Sequence, residues 1–565
     1  MTVDHDFALL ANSLVIGVTG HRKLRSSDVP GLQLRVRTFL QDLQARYPEL
    51  PLVLLSPMAQ GSDQLVAQVA LELGLRVIAP LPLPLDLYRE DFDDAAALQL
   101  LDTQLQQVEV LHMPLGSGSS RESVAVPGRA RDQQYAQAGM FVSCHCHVLL
   151  ALWDGQESGR LGGTAQVVRF HLHGAMCGAL EPRNAAAALF GAEQENVVYH
   201  FPASRESDGD PPDLQGRWLG AENGESSIQL PAQTAQMFAR QAAFNVDSRK
   251  YAVQIAGQPE VSPGARQCPV WHTFAAADWL ARTYQRRVAR VLRVTYLLVA
   301  LMGLTFFTYT HVASEDVVIY SFLLLFLIGL GVMTLANRRA WQRKYLDYRS
   351  LAEGLRVQSY WRRAGIVVPG GSVFAHDNFL QKQDVELGWI REVMRGASLD
   401  GMLVPALAGA GQVDAVIDEW IGTLHSGGQL DYYSASSQRR ARLHHRAEMA
   451  GLICIALGVG VSVVLVLFAR LFDAHLKHVL VSVMGILSVV AAVHEAYVHK
   501  KADKELIRQY RFMHRIFSSA QRLLDGTREA EERRRILIAL GEAALTEHAE
   551  WTLMHRERPL PSTRI

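Results

Sequence analysis

The chain has 565 residues, 49 % of them apolar, with 56 basic against 56 acidic side chains. That length allows several domains, and the even charge balance leaves no general electrostatic footprint for nucleic acid. Five cysteines without regular spacing argue against a disulfide framework and fit a reduced compartment.

Residues 1–12 carry Asp4, His5 and Asp6 and lack the charged-then-apolar pattern of a signal peptide. Residues 14–18 form a short apolar run ending in Gly17-Val18-Thr19-Gly20, which reads as a first strand. Helical periodicity follows over 31–47. Residues 52–55 are the next strand, followed by Gly61-Ser62-Asp63 and a helix through Leu73. Residues 76–81 and 108–113 read as the third and fourth strands. A helix over 131–142 leads into a fifth strand, 148–153, and Gly162-Gly163-Thr164 opens another helix. Residues 197–201 are expected as the last strand. Strands alternating with helices predict an α/β Rossmann-like domain, a mostly parallel sheet covered on both faces, over 1–205. Residues 204–224, rich in Gly, Pro and Asp, read as a loop or partly disordered part of an insert over 206–275.

Behind this half lie four apolar stretches of about twenty residues each, 294–313 paired with 317–336 and 449–469 paired with 479–498. At ~1.5 Å per residue each spans the ~30 Å hydrocarbon core of a bilayer. Basic residues crowd the outer ends of both hairpins. Arg282, Arg286, Arg287, Arg290 and Arg293 precede the first, and Arg338, Arg339, Arg343 and Lys344 follow it. Arg439, Arg440, Arg442 and Arg446, then Lys500, Lys501 and Lys504, flank the second. The connectors are short, Ser314-Glu315-Asp316 and residues 470–478. Lys and Arg near spans favour the cytoplasmic side, so both hairpins are expected to enter from the cytosol and return to it. The expected organisation is a first hairpin with its cytosolic helix over 276–365, a helical connector over 366–446, and a second hairpin with C-terminal helices over 447–565. Residues 341–363 read as a charged helix stopped by Pro369-Gly370-Gly371, residues 412–446 as one long helix, and 502–524 and 528–556 as closing helices. Tyr348-Arg349 and Tyr510-Arg511 recur at the same offset beyond their hairpins, which hints at duplication.

Within the spans, Thr305, Thr308, Thr310, Ser462, Ser482 and Ser488 read as helix-packing residues, and Gly329, Gly331, Gly458 and Gly460 as points of close helix contact. His494 and Glu495 read as an interfacial pair at the cytosolic boundary.

Ligands of open parallel sheets sit at strand C-terminal ends, against helix N-termini that offer free N–H groups to phosphate. Three loops have that composition. Gly17-Val18-Thr19-Gly20-His21-Arg22 follows the first strand, its glycines permitting close approach and His21 and Arg22 supplying donors. Gln60-Gly61-Ser62-Asp63 follows the second, with Ser62 and Asp63 suited to sugar hydroxyls. Trp153-Asp154-Gly155 ends the fifth, with Trp153 available for base stacking, and Gly162-Gly163-Thr164 forms a phosphate cradle. The run Cys144-His145-Cys146-His147, with His171, His173 and Cys177 nearby, invites a zinc site. Read as a strand, it points alternate residues to opposite faces, so no metal is expected.

These three loops resemble the SLOG superfamily, the Rossmann-like group that includes LOG nucleotide phosphoribohydrolases, DprA-type proteins and the sensor region of TRPM channels. The likeness covers about the first two hundred residues. It implies binding of a nucleotide-derived ligand, cyclic or ADP-ribose-like, with no further cofactor. LOG enzymes place a glutamate three residues after the threonine of the glycine-rich motif. Here that position is Val167, with Ala165 and Gln166 beside it, so a binding domain is expected in place of a hydrolase. The second half resembles the SLATT effectors of bacterial conflict systems, through Tyr348-Arg349-Ser350-Leu351-Ala352-Glu353-Gly354-Leu355-Arg356, Trp361, Trp420-Ile421 and Tyr432-Tyr433. That implies a pore-forming or membrane-perturbing effector.

The combined expectation is a multi-pass protein of a cell inner membrane with both termini cytoplasmic, a homo-oligomer that senses a small nucleotide messenger. Ligand binding would trigger pore formation or membrane disruption and growth arrest in antiviral defence. The rival readings are a nucleotide-regulated ion channel without toxicity, a membrane-tethered nucleotide hydrolase using Asp63, Asp154 or Glu157, and a passive anchor.

Overall fold

The computed structural model describes residues 12–116, 118–156, 161–174, 176, 196–206, 214–220, 226–258, 269–311, 315–367, 379, 385–403, 410–422, 427–468, 470–501 and 503–556. Residues divide into two compact units that are not contiguous in sequence. The first comprises Met1–Leu280, Asp347–Gly409 and Leu545–Glu550; the second comprises Ala281–Leu346, Ala410–Ala544 and Trp551–Ile565.

The first unit is built on one sheet. Its strands are β1 (Leu14–Gly20), β2 (Leu52–Leu55), β3 (Arg76–Leu81), β4 (Glu109–His112), β5 (Val148–Trp153), β6 (Val197–Pro202), β7 (Arg217–Gly220) and β8 (Ser226–Ser227). They lie in the order β4-β3-β2-β1-β5-β6-β7-β8. Every pairing from β4 to β6 is parallel, and β7 and β8 add antiparallel. The expected parallel sheet is present, but 197–201 is not its last strand. Trp218 on β7 packs in the core against Phe39 and Tyr199 and draws this short strand onto the edge. β5 is buried along its whole length, as a strand covered on both faces must be.

The helices of this half are α1 (Val29–Arg46), α2 (Ser62–Glu72), α3 (Leu85–Arg89), α4 (Ala95–Leu105), α5 (Arg121–Ala125), α6 (Arg129–His145), α7 (Thr164–His173), α8 (Ala232–Lys250) and α9 (Ala252–Ala256). The sheet order reverses direction between β1 and β5, because β2 follows β1 on one side and β5 returns on the other. Such a reversal splays the two following loops apart and leaves a crevice at the strand C-termini.

The remaining helices are α10 (Pro269–His311), α11 (Asp316–Arg338), α12 (Trp341–Arg363), α13 (Gly388–Leu403), α14 (Ala410–Trp420), α15 (Gln429–Leu467), α16 (Ala474–Lys501), α17 (Asp503–Gly526) and α18 (Ala530–Arg556). Four helical segments, each overlapping one of the four apolar stretches, are long and apolar enough to cross a membrane. Their apolar side chains face outward: Val466 is 75 % exposed, Val317 71 % and Leu467 70 %. A surface of this kind is stable in hydrocarbon and not in water. The long helix expected over 412–446 is two helices, α14 and the start of α15. Gly422, with φ +97°, takes the left-handed turn that separates them. Pro369-Gly370-Gly371 and Ser314 lie outside the described residues; α12 already ends at Arg363, two residues before Gly365 with φ +69°.

Inside the spans the hydroxyls of Thr305, Thr308, Thr310 and Ser488 donate to carbonyls one turn back. Gly329 touches only Leu298, and a Cβ on Gly331, Gly458 or Gly460 would meet nothing. The close contacts fall elsewhere. A Cβ on Gly303 would lie 2.6 Å from Val489, and Gly485 packs tightly beneath the Phe307 ring, so α10 and α16 cross at small residues. His494 joins α16 to α15 through the Ala447 carbonyl, 2.8 Å away.

Candidate functional site

At the end of β1 the pairing with β5 continues one residue further, the His21 N–H donating to the Leu152 carbonyl (2.9 Å). His21 is buried. Its Nε2 accepts from the Asp154 N–H (3.0 Å) and lies 3.5 Å from the Asp154 carboxylate. The Arg205 guanidinium, just after β6, stands 3.3 Å from Nδ1. The imidazole therefore joins the loops after β1 and β5, and positions them.

The loop after β2 is pressed against the same backbone. Ser62 donates through both its N–H (3.1 Å) and its Oγ (2.9 Å) to the His21 carbonyl. A Cβ on Gly20 would sit 2.4 Å from Ser62 Oγ, and one on Gly61 would sit 2.3 Å from the Arg22 carbonyl. Only glycine fits either position, and Gly61 also needs its φ of +91°. Gly17 is held equally closely, against Cys146 and Val142 of the α6 end.

α7 begins at the same crevice. Gly163 is its N-cap and offers no side chain to the helix start. Thr164 Oγ1 donates to the Gly20 carbonyl (2.9 Å), so the α7 N-terminus is tied to the end of β1. Gly162, with φ +73°, lies against the α6 backbone, where a Cβ would come 2.8 Å from the Ala136 nitrogen. Its N–H donates to Gln166 Oε1 (3.3 Å). Among the described residues no protein group accepts from the Thr164 or Ala165 N–H. Two backbone donors and the positive end of a helix thus stand beside the end of β1 at Gly20. The α2 N-terminus differs, because its first N–H already serves His21.

Arg22 points to the other side of β1. Its guanidinium lies 4.9 Å from the Tyr135 ring centre. The Tyr135 hydroxyl donates to Asp91, which Arg131 also holds at 2.9 Å. Asp63 is buried beneath, accepting from the Ala59 N–H (3.3 Å). Burial pushes its carboxyl up to about 7, against the pull of that N–H and of Arg22. The Tyr88 hydroxyl donates to the Pro57 carbonyl (2.9 Å) alongside.

The structure thus brings Thr19, Gly20, His21, Arg22, Gly61, Ser62, Asp63, Asp154, Gly155, Gly162, Gly163 and Thr164 to one end of the sheet, whereas Gly17 lies lower in β1, paired with Leu149 near the start of β5 and packed on Cys146. Several serve the scaffold: the hydroxyls of Ser62 and Thr164 bind backbone carbonyls, and His21 is turned inward. Trp153, expected to stack on a base, is 7 % exposed and packs 5.9 Å from His200, its Nε1 without a partner. Val167, at the position of the LOG glutamate, is buried against Gly139. Glu157 lies outside the described residues. Arg205, Tyr88 and Tyr135 were not singled out from sequence. Arg205 follows β6 and obeys the same end-of-strand rule; Tyr135 sits mid-helix, with no local signal.

The Cys/His run is not a strand. Cys144 and His145 end α6, Cys146 caps it, and His147 precedes β5. The Val15 N–H donates to His147 Nδ1 (2.7 Å), so its Nε2–H donates to the Glu392 carbonyl (2.9 Å) on α13. Burial holds His145 and His171 down to about 4 and about 3, and pushes the Cys146 thiol up to about 12. These are neutral core groups. Among the described residues no three His, Cys, Asp or Glu converge as metal ligands, and Cys177 lies outside them.

The motif after the first hairpin packs within the first unit. Tyr348 donates to Asp247 (2.7 Å), and a Cβ on Gly354 would meet Met394 at 2.6 Å. Burial acts to raise the Glu353 carboxyl, but the guanidiniums of Arg349 and Arg356 outweigh it and hold the group at about 2. Comparison of the chain with protein-family models, curated proteins and solved structures finds no match.

Proposed function

We propose that the first unit binds a nucleotide-derived anion at the β1/β5 crevice, and that binding drives the apolar hairpins to permeabilise a bacterial inner membrane. The observation that carries this reading is the α7 N-terminus, with its unpaired Thr164 and Ala165 N–H groups beside Gly20 at the strand-order reversal. Charge on a phosphate is favoured there, and exposed Gly155 leaves the backbone after β5 open to it. The sequence likeness to SLOG sensors supports the ligand class, and the likeness to SLATT effectors supports the outcome. α10, α12 and α18 each contribute residues to both units, which supports coupling between ligand and hairpins. The ligand acts only if it binds the active arrangement more tightly than the resting one. Basic residues at the outer ends of both hairpins support cytoplasmic termini. Two hairpins enclose little of a pore, so the active form is a homo-oligomer.

Thermal shift of the full chain in detergent, against cyclic dinucleotides and ADP-ribose derivatives, tests the site. Thr164→Glu puts a carboxylate where the ligand phosphate would lie. The helix dipole stabilises that charge by ~0.3–1 kcal/mol, which offsets much of the ~1 kcal/mol lost with the hydroxyl bond. One nucleotide should raise the melting temperature of wild type by several degrees and leave Thr164→Glu unmoved. An equal response in both proteins, or none in wild type, contradicts the site.

A second reading has one observation behind it: a carboxyl titrating near 7, as Asp63 does, suits general acid–base chemistry at neutral pH. Turnover of NAD or ADP-ribose that vanishes in Asp63→Asn would establish a hydrolase in place of a sensor.

A further inference from the structure

The second unit holds a groove of about 680 Å³ between α15 and α17, lined by Ser434, Ser437, Lys504, Ile507, Arg508, Arg511, His514 and Arg515. Lys504, Arg508, Arg511 and Arg515 fall at i, i+4, i+7 and i+11, one face of α17. Among the described residues no carboxylate lines the groove. Lys504 is paired with Glu448 at 2.8 Å, and nearby Asp503 is taken by Arg440 (3.2 Å) and Lys501 (2.8 Å). Arg508, Arg511 and Arg515 make no ion pair among the described residues. Three converging guanidiniums without counter-charge repel one another, and nothing in the fold of α17 requires them. Its buried face is carried by Ile507, Met513, Phe517, Ala520 and Leu524.

We propose that this groove binds a soluble, multiply phosphorylated anion, distinct from the ligand of the β1/β5 crevice. Guanidinium forks match phosphate oxygens in pairs, and the hydroxyls of Ser434 and Ser437 stand on the opposite wall. The volume falls within the ~300–1,000 Å³ typical of small-ligand pockets. Distance from the membrane separates a soluble anion from a lipid headgroup. α15 runs unbroken alongside both α16 and α17, so helical rise measures depth. At ~1.5 Å per residue, Ser434 stands roughly 20 Å beyond the start of the apolar stretch at Met449, and Arg515 roughly 25 Å beyond its end at Val498. The headgroup layer extends only about 5–8 Å past the hydrocarbon. Lys504 is within its reach; the three unpaired arginines are beyond it.

The test is calorimetric titration of the full chain, in nanodiscs of pure phosphatidylcholine, with inorganic tripolyphosphate. Wild type should bind, and R508Q/R511Q/R515Q should bind at least tenfold more weakly at unchanged melting temperature. Each single substitution should weaken binding about threefold, which keeps the test readable if the triple variant misfolds. Equal affinity in wild type and the arginine variants overturns the proposal. So does failure to bind tripolyphosphate together with arginine-dependent sedimentation on phosphatidylglycerol vesicles, which would make a lipid the occupant.

Discussion

Asp63 is a residue whose chemistry is strongly altered by its place in the fold. A free aspartate titrates near 4; buried beneath Arg22, Asp63 titrates near 7. Between these values the folded chain holds a proton that the unfolded chain has released. Stability from this group is therefore complete below about pH 4 and is lost as pH rises through 7. Asp63→Asn keeps an acceptor for the Ala59 N–H and removes the buried charge. The variant should gain on the order of 3–4 kcal/mol over wild type at pH 8, about 1 kcal/mol at pH 5 and nothing below pH 4, read by calorimetry of the detergent-solubilised chain. A difference independent of pH would mean that Asp63 is not buried as described. Sequence composition marked Asp63 as a site residue through its glycine-bounded loop, but its chemistry is set by burial in a site shared with Arg22 and Tyr88, which lie farther off in sequence. His21 shows the same limit. Its position after β1 was legible, whereas its inward turn onto Asp154 depends on pairing between β1 and β5, which no local pattern reveals.

Elements were legible wherever one period dominated. The parallel strands announced themselves as short apolar runs, and four spans as long ones, because burial on both faces or in lipid leaves no room for polar alternation. β7 was missed because four residues with one buried aromatic carry no period. The Cys144–His147 run was misassigned to a strand because its apolar neighbours belong to β5, while α6 extends through His145. Helix crossing points were misplaced for a related reason: glycine in a span permits approach, and only the partner determines where approach occurs. Gly303 and Gly485 face Val489 and Phe307, whereas Gly331, Gly458 and Gly460 face open space. Gly485→Ile should force the Phe307 ring from its place and cost ~1–3 kcal/mol, seen as a lowered melting temperature in detergent. Adding Phe307→Ala should restore much of it, while Gly458→Ile should change little. A Gly485→Ile protein as stable as wild type would show that α10 and α16 do not cross there.

At the scale of the whole molecule, sequence order and compact unit diverge. The first unit takes in 347–409 and 545–550 from beyond the first hairpin, so the motif around Glu353 belongs to the folded unit that also holds the sheet. Contiguous boundaries could not be read from composition, because the unit boundaries fall inside unbroken helices such as α10 and α12. That arrangement would give the proposed ligand of the β1/β5 crevice a covalent route to the apolar helices. The most direct measurement is release of a trapped dye from proteoliposomes containing the full chain, with and without the nucleotide that stabilises it. The account predicts release on adding that nucleotide to wild type and none with Thr164→Glu. Release that ignores the nucleotide, or a nucleotide that binds without opening the membrane, would contradict it.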